Sequence, residues 1–420
     1  MKIRPKMSDN IPFELQAEII KRVLPVKSLI RFRSVSKQWK SLIDSSEFIT
    51  HHTLNNKTQP QHLLVRYPNG SEIKYVSIVD DDSFPRHKFS PTVSPTAKLL
   101  THPRIIASSH GLVCLCGFAY ELKKHLIILW NPSIRKSVEI VFPYTLNALG
   151  FGVCPKTMDP KIVNIIREAN AQVYTLSSGA WRHISINLRV PGTGFSFRSY
   201  HEVIDGIIYW VSCNASGSCD KIISFNLTSE EFGVIELQDS LEDPRHLYIS
   251  KVKESLVVLN YDKSDEACGV WMMTKNGDPK SLLTKLFTVS FKSFHDSQYH
   301  RILGFRKNDQ PIIEHQRRSY GFRLTTLEVY EPCTEQSNDI GTDLCFMIND
   351  DSHFMITFHT ESLLLLNHPG SIHSHRKRRP PFESRIGSAV PDSGTESNHS
   401  AWVRKPDRKK GRTRLSQYSF

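Results

Sequence analysis

The eight cysteines of this 420-residue chain include no CxxC pair, so neither a zinc ribbon nor a thioredoxin-type redox site is spelled out. No G-x-G-x-x-G, G-x-x-x-x-G-K-[ST] or G-x-S-x-G occurs. That removes the local signatures of dinucleotide binding, nucleotide hydrolysis and the nucleophile elbow. Gly192-Thr193-Gly194 is a two-glycine turn, a weak signal for a phosphate loop. His51-His52 and His373-Ser374-His375 lack a carboxylate or cysteine at ligand spacing. Asp80-Asp81-Asp82 and Asn349-Asp350-Asp351 lack the spaced oxygens of a calcium loop and read as solvated turns. No metal, cofactor or catalytic residue is therefore expected. Long apolar runs are missing as well: none approaches the ~18 residues that span a bilayer, and Leu363–Leu366 is the longest near the end. The basic start Met1–Lys6 is not followed by an apolar run of signal-peptide length. These absences point away from a membrane and toward a reducing intracellular compartment, nucleus and/or cytoplasm.

A broad basic surface is absent too, despite a formal net charge of +12. Residues 371–420 hold twelve Lys/Arg against four Asp/Glu, and the other 370 residues hold forty-two against thirty-eight. A balanced body sets up no field that would steer a polyanion, so nucleic acid is not the expected partner. Cys114 and Cys116 lie in the apolar run Leu112–Cys116, where free cysteine behaves as a small buried hydrophobe.

The first fifty residues have a helical pattern. Asn10 can cap a helix with Pro12 in its early turn, and Leu15, Ile19, Ile20 and Val23 recur at helical spacing. Pro25 ends that helix. A second helix carries Leu29, Ile30 and Phe32. Ser36 caps a third, whose apolar face is Trp39, Leu42 and Ile43. Forty residues bury too little surface to be stable alone. Such a module must dock, onto its own chain or onto a partner.

From about residue 60 the period changes to short Val-, Ile- and aromatic-rich runs between Gly, Pro, Asn, Asp and Ser clusters, the pattern of strands and turns. A strand bearing an aromatic recurs at Trp130, Tyr174, Phe225, Trp271 and Tyr330, at intervals of 44, 51, 46 and 59 residues. Four-stranded propeller blades repeat at ~40–50 residues. The body then makes six blades, or seven with short ones; the competing reading is a pair of β-sandwiches. Hairpins are legible around Ser178-Gly179 and Thr228–Glu231. Trp130, Trp181, Trp210 and Trp271 are expected in inter-blade packing.

The run Ile11-Pro12-Phe13-Glu14-Leu15, then Glu18-Ile19-Ile20, then Leu24-Pro25-Val26-Lys27-Ser28-Leu29-Ile30-Arg31-Phe32-Arg33 through Val35 to Trp39 resembles a plant F-box. Ser109–Cys114, Leu129–Ser133, Tyr174–Arg182, Asp205–Trp210, Leu303–Lys307 and Val329–Pro332 resemble the F-box-associated (kelch-like) domain of that family. The resemblance implies an α+β multidomain chain with a three-helix F-box at 9–50, a linker at 51–59 and a mostly β, propeller-like substrate-binding domain at 60–367. A disordered basic tail at 371–420 would come after it. It further implies a substrate-recognition subunit of a Skp-cullin-F-box ubiquitin ligase. The F-box would bind a Skp-type adaptor and, through it, cullin and RING subunits, while the β domain binds an unidentified target protein. By the same resemblance Pro12, Leu15, Ile19, Ile20, Leu24, Pro25, Leu29, Val35 and Trp39 form the adaptor-facing and self-packing surface. Arg22-Val23-Leu24-Pro25 is one residue longer than the family's common pattern, and one extra helical residue rotates the downstream residues by about a quarter turn. A rival reading is therefore a β-propeller interaction scaffold with a non-docking F-box. A second rival is a hydrolase or lectin-like propeller with loop-borne catalytic or sugar-binding residues. In the tail, Arg376, Lys377, Arg378 and Arg379, with Arg408, Lys409 and Lys410, form two basic clusters that read as nuclear-import signals or as solvated charge.

Overall fold

The computed structural model describes residues 11–369 except 23–24, 56–58, 70–71, 143–147, 168–169, 187–195, 215–216, 238–240, 242–245, 275–282, 292–298, 320–321, 341–343 and 348–353. The cap at Asn10, the positions Val23 and Leu24, the Gly192-Thr193-Gly194 and Asn349–Asp351 turns and the basic tail lie outside the described residues. So do the import candidates Arg376, Lys377, Arg378, Arg379, Arg408, Lys409 and Lys410.

Four helices open the chain: α1 (Phe13–Lys21), α2 (Val26–Phe32), α3 (Lys37–Ile43) and α4 (Ser46–Leu54). Proline stands at the N-cap of the first two, Pro12 and Pro25. The Ser36 hydroxyl accepts the Trp39 N–H at 3.1 Å and so caps α3, as the sequence indicated. The fourth helix corrects the three-helix expectation. Ser45 caps it by accepting the Phe48 N–H at 3.2 Å, and it continues to Leu54, through the start of the expected linker. Its buried residues Phe48, Ile49, His52 and Thr53 explain why it forms there.

The rest is a six-bladed β-propeller. Blade 1 joins β25 (Met355–His359) to β1 (Gln61–Asn69), β2 (Glu72–Asp80) and β3 (Lys88–Phe89). Blade 2 is β4 (Leu100–Ser109), β5 (Leu112–Ala119), β6 (Lys124–Asn131) and β7 (Lys136–Phe142). Blade 3 is β8 (Ala148–Val153), β9 (Pro160–Arg167), β10 (Asn170–Thr175) and β11 (Ala180–Ser185). Blade 4 is β12 (Ser196–Ile204), β13 (Ile207–Cys213), β14 (Lys221–Asn226) and β15 (Phe232–Glu236). Blade 5 is β16 (Leu247–Val252), β17 (Ser255–Tyr261), β18 (Ala267–Met273) and β19 (Leu283–Ser290). Blade 6 is β20 (Tyr299–Phe305), β21 (Pro311–Ser319), β22 (Phe322–Glu331) and β23 (Gln336–Asp339), with β24 (Leu344–Met347) also on β22. The ring closes where the last strand pairs antiparallel with the first, with His359 opposite His62 and Ile356 opposite Val65.

Each pair of neighbouring blades encloses an apolar core, which is why strands are buried on both faces. Val113 and Leu115 point toward blade 1, whereas Cys114 and Cys116 belong to the core shared with blade 3. The recurring aromatics Trp130, Tyr174, Phe225, Trp271 and Tyr330 all fall on the third strand of their blades. Trp130 and Trp210 are fully enclosed between blades; Trp181 and Trp271 pack at the margins of such cores. Blade 3 approaches Trp210 so closely that a Cβ at Gly150 would lie 2.3 Å from its Cζ2. Both expected hairpin turns are present, with Gly179 at φ +64° in the first.

One cysteine pair departs from the all-reduced expectation. Cys213 and Cys219 are joined by a disulfide, because the turn between β13 and β14 brings their Cα atoms to 3.9 Å. Cys114 and Cys116 are free and buried, as expected. No helix among the described residues is long and apolar enough to cross a membrane.

Candidate functional site

The helical module has two apolar faces. Ile20, Val26, Leu29, Ile43, Phe48 and Ile49 are buried in one core with Leu112, Cys114 and Leu363–Leu366. Burying such side chains is worth roughly 1.5–3 kcal/mol each. The module thus rests on the second and third blades through residues 360–368, the stretch just after the closing strand. Polar contacts fix that strap on both sides. The Val26 N–H, free in the first turn of α2, donates to Glu361 Oε2 at 2.9 Å. The Asn367 amide donates to the Asp44 carbonyl, while the Asp44 carboxylate takes a two-point ion pair from Arg33 at 2.5 and 2.8 Å. On the propeller side, buried Asn131 donates to the carbonyls of Ser362 at 2.9 Å and Leu364 at 2.8 Å. Lys136 Nζ donates to the Leu366 carbonyl at 2.5 Å; burial lowers its pKa, with Arg33 adding to the effect.

The second face is open. Ile11, Leu15, Ile19 and Val35 are 40%, 56%, 57% and 63% exposed, with Pro12 and Pro25 also exposed beside them. Leaving that much apolar surface in water on so small a module marks an interaction site. The nine sequence-predicted residues therefore divide. Pro12, Leu15, Ile19, Pro25 and Val35 face outward. Ile20 and Leu29 are enclosed within the chain at 2% and 0% exposure and so belong to the self-packing part, while Leu24 lies outside the described residues. Trp39 is half-buried, edge-on to Phe32 at 5.4 Å, and its indole N–H donates to Gln16 Oε1 at 3.0 Å. Sequence reasoning missed the strap. Its only signal was the four-leucine run 363–366, a length too short for a helix of its own.

The propeller supplies the other candidate surfaces. Its inner strands β25, β4, β8, β12, β16 and β20 surround a central channel. All six run toward the helical end, where contacts such as Val153 N–H to Ser109 Oγ (3.1 Å) and Arg306 to Asp80 (2.8 Å) tie adjacent blades. The inner strands therefore begin at the opposite end.

An F-box domain matches residues 8–51, and an F-box associated beta propeller domain matches residues 71–361. The chain belongs to this plant F-box family. F-box protein At2g21930 of Arabidopsis thaliana is 28% identical over 245 residues, covering 54% of this chain and 61% of that one. F-box protein At5g18160 of the same plant is 31% identical over 238 residues, 54% of this chain and 58% of its own. A third Arabidopsis relative, also named an F-box protein, is 26% identical over 337 residues, 73% of this chain and 84% of its own. Over the first two, the match spans about three fifths of the relative. The F-box of this chain is the four-helix module, and Gly111 and Asn131 are points at which the propeller meets the strap beneath it.

Proposed function

We propose that this F-box protein is the substrate-recognition subunit of a Skp-cullin-F-box ubiquitin ligase and does no chemistry of its own. The observation that carries the reading is the two-faced F-box: one side is sealed onto the propeller, and Ile11, Leu15, Ile19 and Val35 are left in water on the other. That outward face, with Pro12 and Pro25, docks a Skp-type adaptor, which links the chain to cullin and RING subunits. The propeller holds the target protein at the end away from the F-box, where the inner strands begin. Catalysis is by proximity, because a target held near a charged conjugating enzyme reacts at a raised effective concentration. The chain works in the nucleus, the cytoplasm or both, the import role resting on the basic clusters of the tail.

Co-purification of the full chain with a recombinant Skp-type adaptor tests this. The native chain captures the adaptor, and a Leu15→Asp/Ile19→Asp double variant does not. Capture only by a variant lacking Val23 would favour the scaffold with a non-docking F-box. Equal capture by the native chain and the double variant would remove this face from the interaction.

A further inference from the structure

A groove of about 820 Å³ opens between blades 1 and 2, beside the first residues of β4 and so at the end away from the F-box. One wall is the start of β2, residues 72–75, and the facing wall is the chain at 90–93 and 97–103.

The strand register explains why the groove is open. β3 sets Lys88 opposite Ile78 and Phe89 opposite Ser77, and goes no further. The Val79 N–H donates to the His87 carbonyl at 3.0 Å, so the main-chain groups of Val79, Ser77, Tyr75 and Ile73 alternate toward the β3 side. The same register would bring Pro91 opposite Tyr75, where the ladder needs an N–H that proline lacks. β3 is therefore two residues long, and the outer edge of β2 at Ile73 has no strand beside it among the described residues. The Ile73 side chain packs on the core shared by the two blades, which holds that edge in place.

The groove is apolar below and charged at its rim. Ala97 and Leu100 are buried in it, and Val93 and Leu99 are half-buried along its side. Lys74 and Lys98 are exposed on the two facing walls and make no ion pair among the described residues. Of the described lining, Glu72 is the one carboxylate and His102 the one imidazole, so the rim is net positive. Apolar surface continues past the groove, because exposed Tyr120 and Leu122 follow Ala119, the partner of Leu100. The chain's own residues 371–420, with twelve Lys/Arg against four Asp/Glu, have the wrong charge to fill it.

We propose that this groove takes an extended segment of the target protein in which acidic and apolar side chains alternate. The segment is about five residues long, the length of edge that β3 leaves uncovered. It adds to β2 as an edge strand, pairing its main chain with Ile73, laying its apolar side chains over Leu100 and Val93, and meeting Lys74 and Lys98 with its carboxylates. In such strand addition the main-chain bonds supply affinity and the side-chain contacts supply specificity. The inference rests on the reading of the propeller as the part that holds the target.

The test is selection of a random heptapeptide library, displayed on phage, against the full chain, followed by fluorescence anisotropy of the enriched peptides. Enriched sequences alternate Asp or Glu with Val, Ile or Leu and bind with a dissociation constant of about 100 μM or tighter. N-methylation at one of the two alternate sets of main-chain nitrogens weakens binding at least about tenfold. Lys74→Glu/Lys98→Glu, a change at exposed side chains, weakens it by a similar factor and leaves adaptor capture unchanged. No enrichment, or enrichment of basic sequences such as the chain's own tail would supply, would overturn the inference. So would full affinity in the double variant or after N-methylation of either set; adaptor capture by the native chain would then leave the ligase reading standing. Groove-dependent peptide binding by a chain that captures no adaptor would sink that reading instead and keep the groove as a peptide site.

Discussion

The side-chain amide of Asn131, at the end of the third strand of blade 2, donates to the main-chain carbonyl of Leu364 at 2.8 Å, and the same nitrogen reaches the carbonyl of Ser362 at 2.9 Å. One buried side chain thereby anchors the segment on which the F-box rests. The Trp130-Asn131-Pro132-Ser133 motif accordingly does two jobs: Trp130 fills the core toward blade 1, and Asn131 fastens the strap.

Asn131→Ala should destabilise the chain by about 2–3 kcal/mol, since two buried carbonyls lose their donor. Urea unfolding at neutral pH measures this. Because the strap also supports the F-box, adaptor capture should weaken in parallel. An unchanged midpoint would show that the strap is held by its leucines alone.

Gly111 has φ +79°, and a Cβ there would stand 2.3 Å from Ser362 Cβ and 2.7 Å from the Thr360 carbonyl oxygen. Gly111→Ala should therefore cost about 2 kcal/mol or more, combining a left-handed backbone with a clash against the strap. Adding Ser362→Gly should restore part of the loss, read as a coupling energy in a double-mutant cycle.

Leu29 and Leu15 belong to one motif and should behave oppositely. Leu29→Ala opens a cavity at a fully enclosed site and should cost ~2–5 kcal/mol of stability. Leu15→Asp acts at an exposed site and should leave the unfolding midpoint within ~0.5 kcal/mol, yet abolish adaptor capture. A capture defect in Leu29→Ala that persists at low temperature, with folding intact, would contradict this division.

Acid should weaken the ring closure. His359 and His62 stack at 5.3 Å across the closing strand pair; burial lowers both pKa values, that of His359 to about 3. The unfolded chain takes up these protons near pH 6.5 and the folded chain resists doing so. Stability is therefore complete above about pH 6.5 and falls as pH drops toward 3, on the order of 2 kcal/mol from His359 alone by pH 5. Urea midpoints at pH 7.5 and 5.0 give the slope, and His359→Gln should flatten it.

The blade period was legible in the sequence because each third strand carries an aromatic wedged against a neighbouring blade, so Trp130, Tyr174, Phe225, Trp271 and Tyr330 mark five of the six units. The first blade has its own aromatic, Tyr75 on β2 edge-on to Trp130, but its inner strand comes from the far end of the domain, and no local period records a pairing between residues 62–66 and 355–359. The F-box helices were legible from Pro12, Pro25, Ser36 and their apolar spacing. Which leucines and isoleucines faced outward was not. At helical spacing Ile19 and Ile20 look alike, and only the strap beneath Ile20 distinguishes them. The disulfide escaped for a similar reason, since six residues of separation say nothing until a hairpin brings the two ends together.

The strand that closes the ring and the strap that carries the F-box are consecutive stretches of chain, residues 355–359 and 360–368. Of the propeller and the F-box, a ribosome releases them last. A product cut short before residue 355 would have helices with nothing beneath them and an open propeller with a bare edge. The seating of the F-box thereby depends on the last strand and the strap, and only a chain that carries both can close the core over which its helices lie.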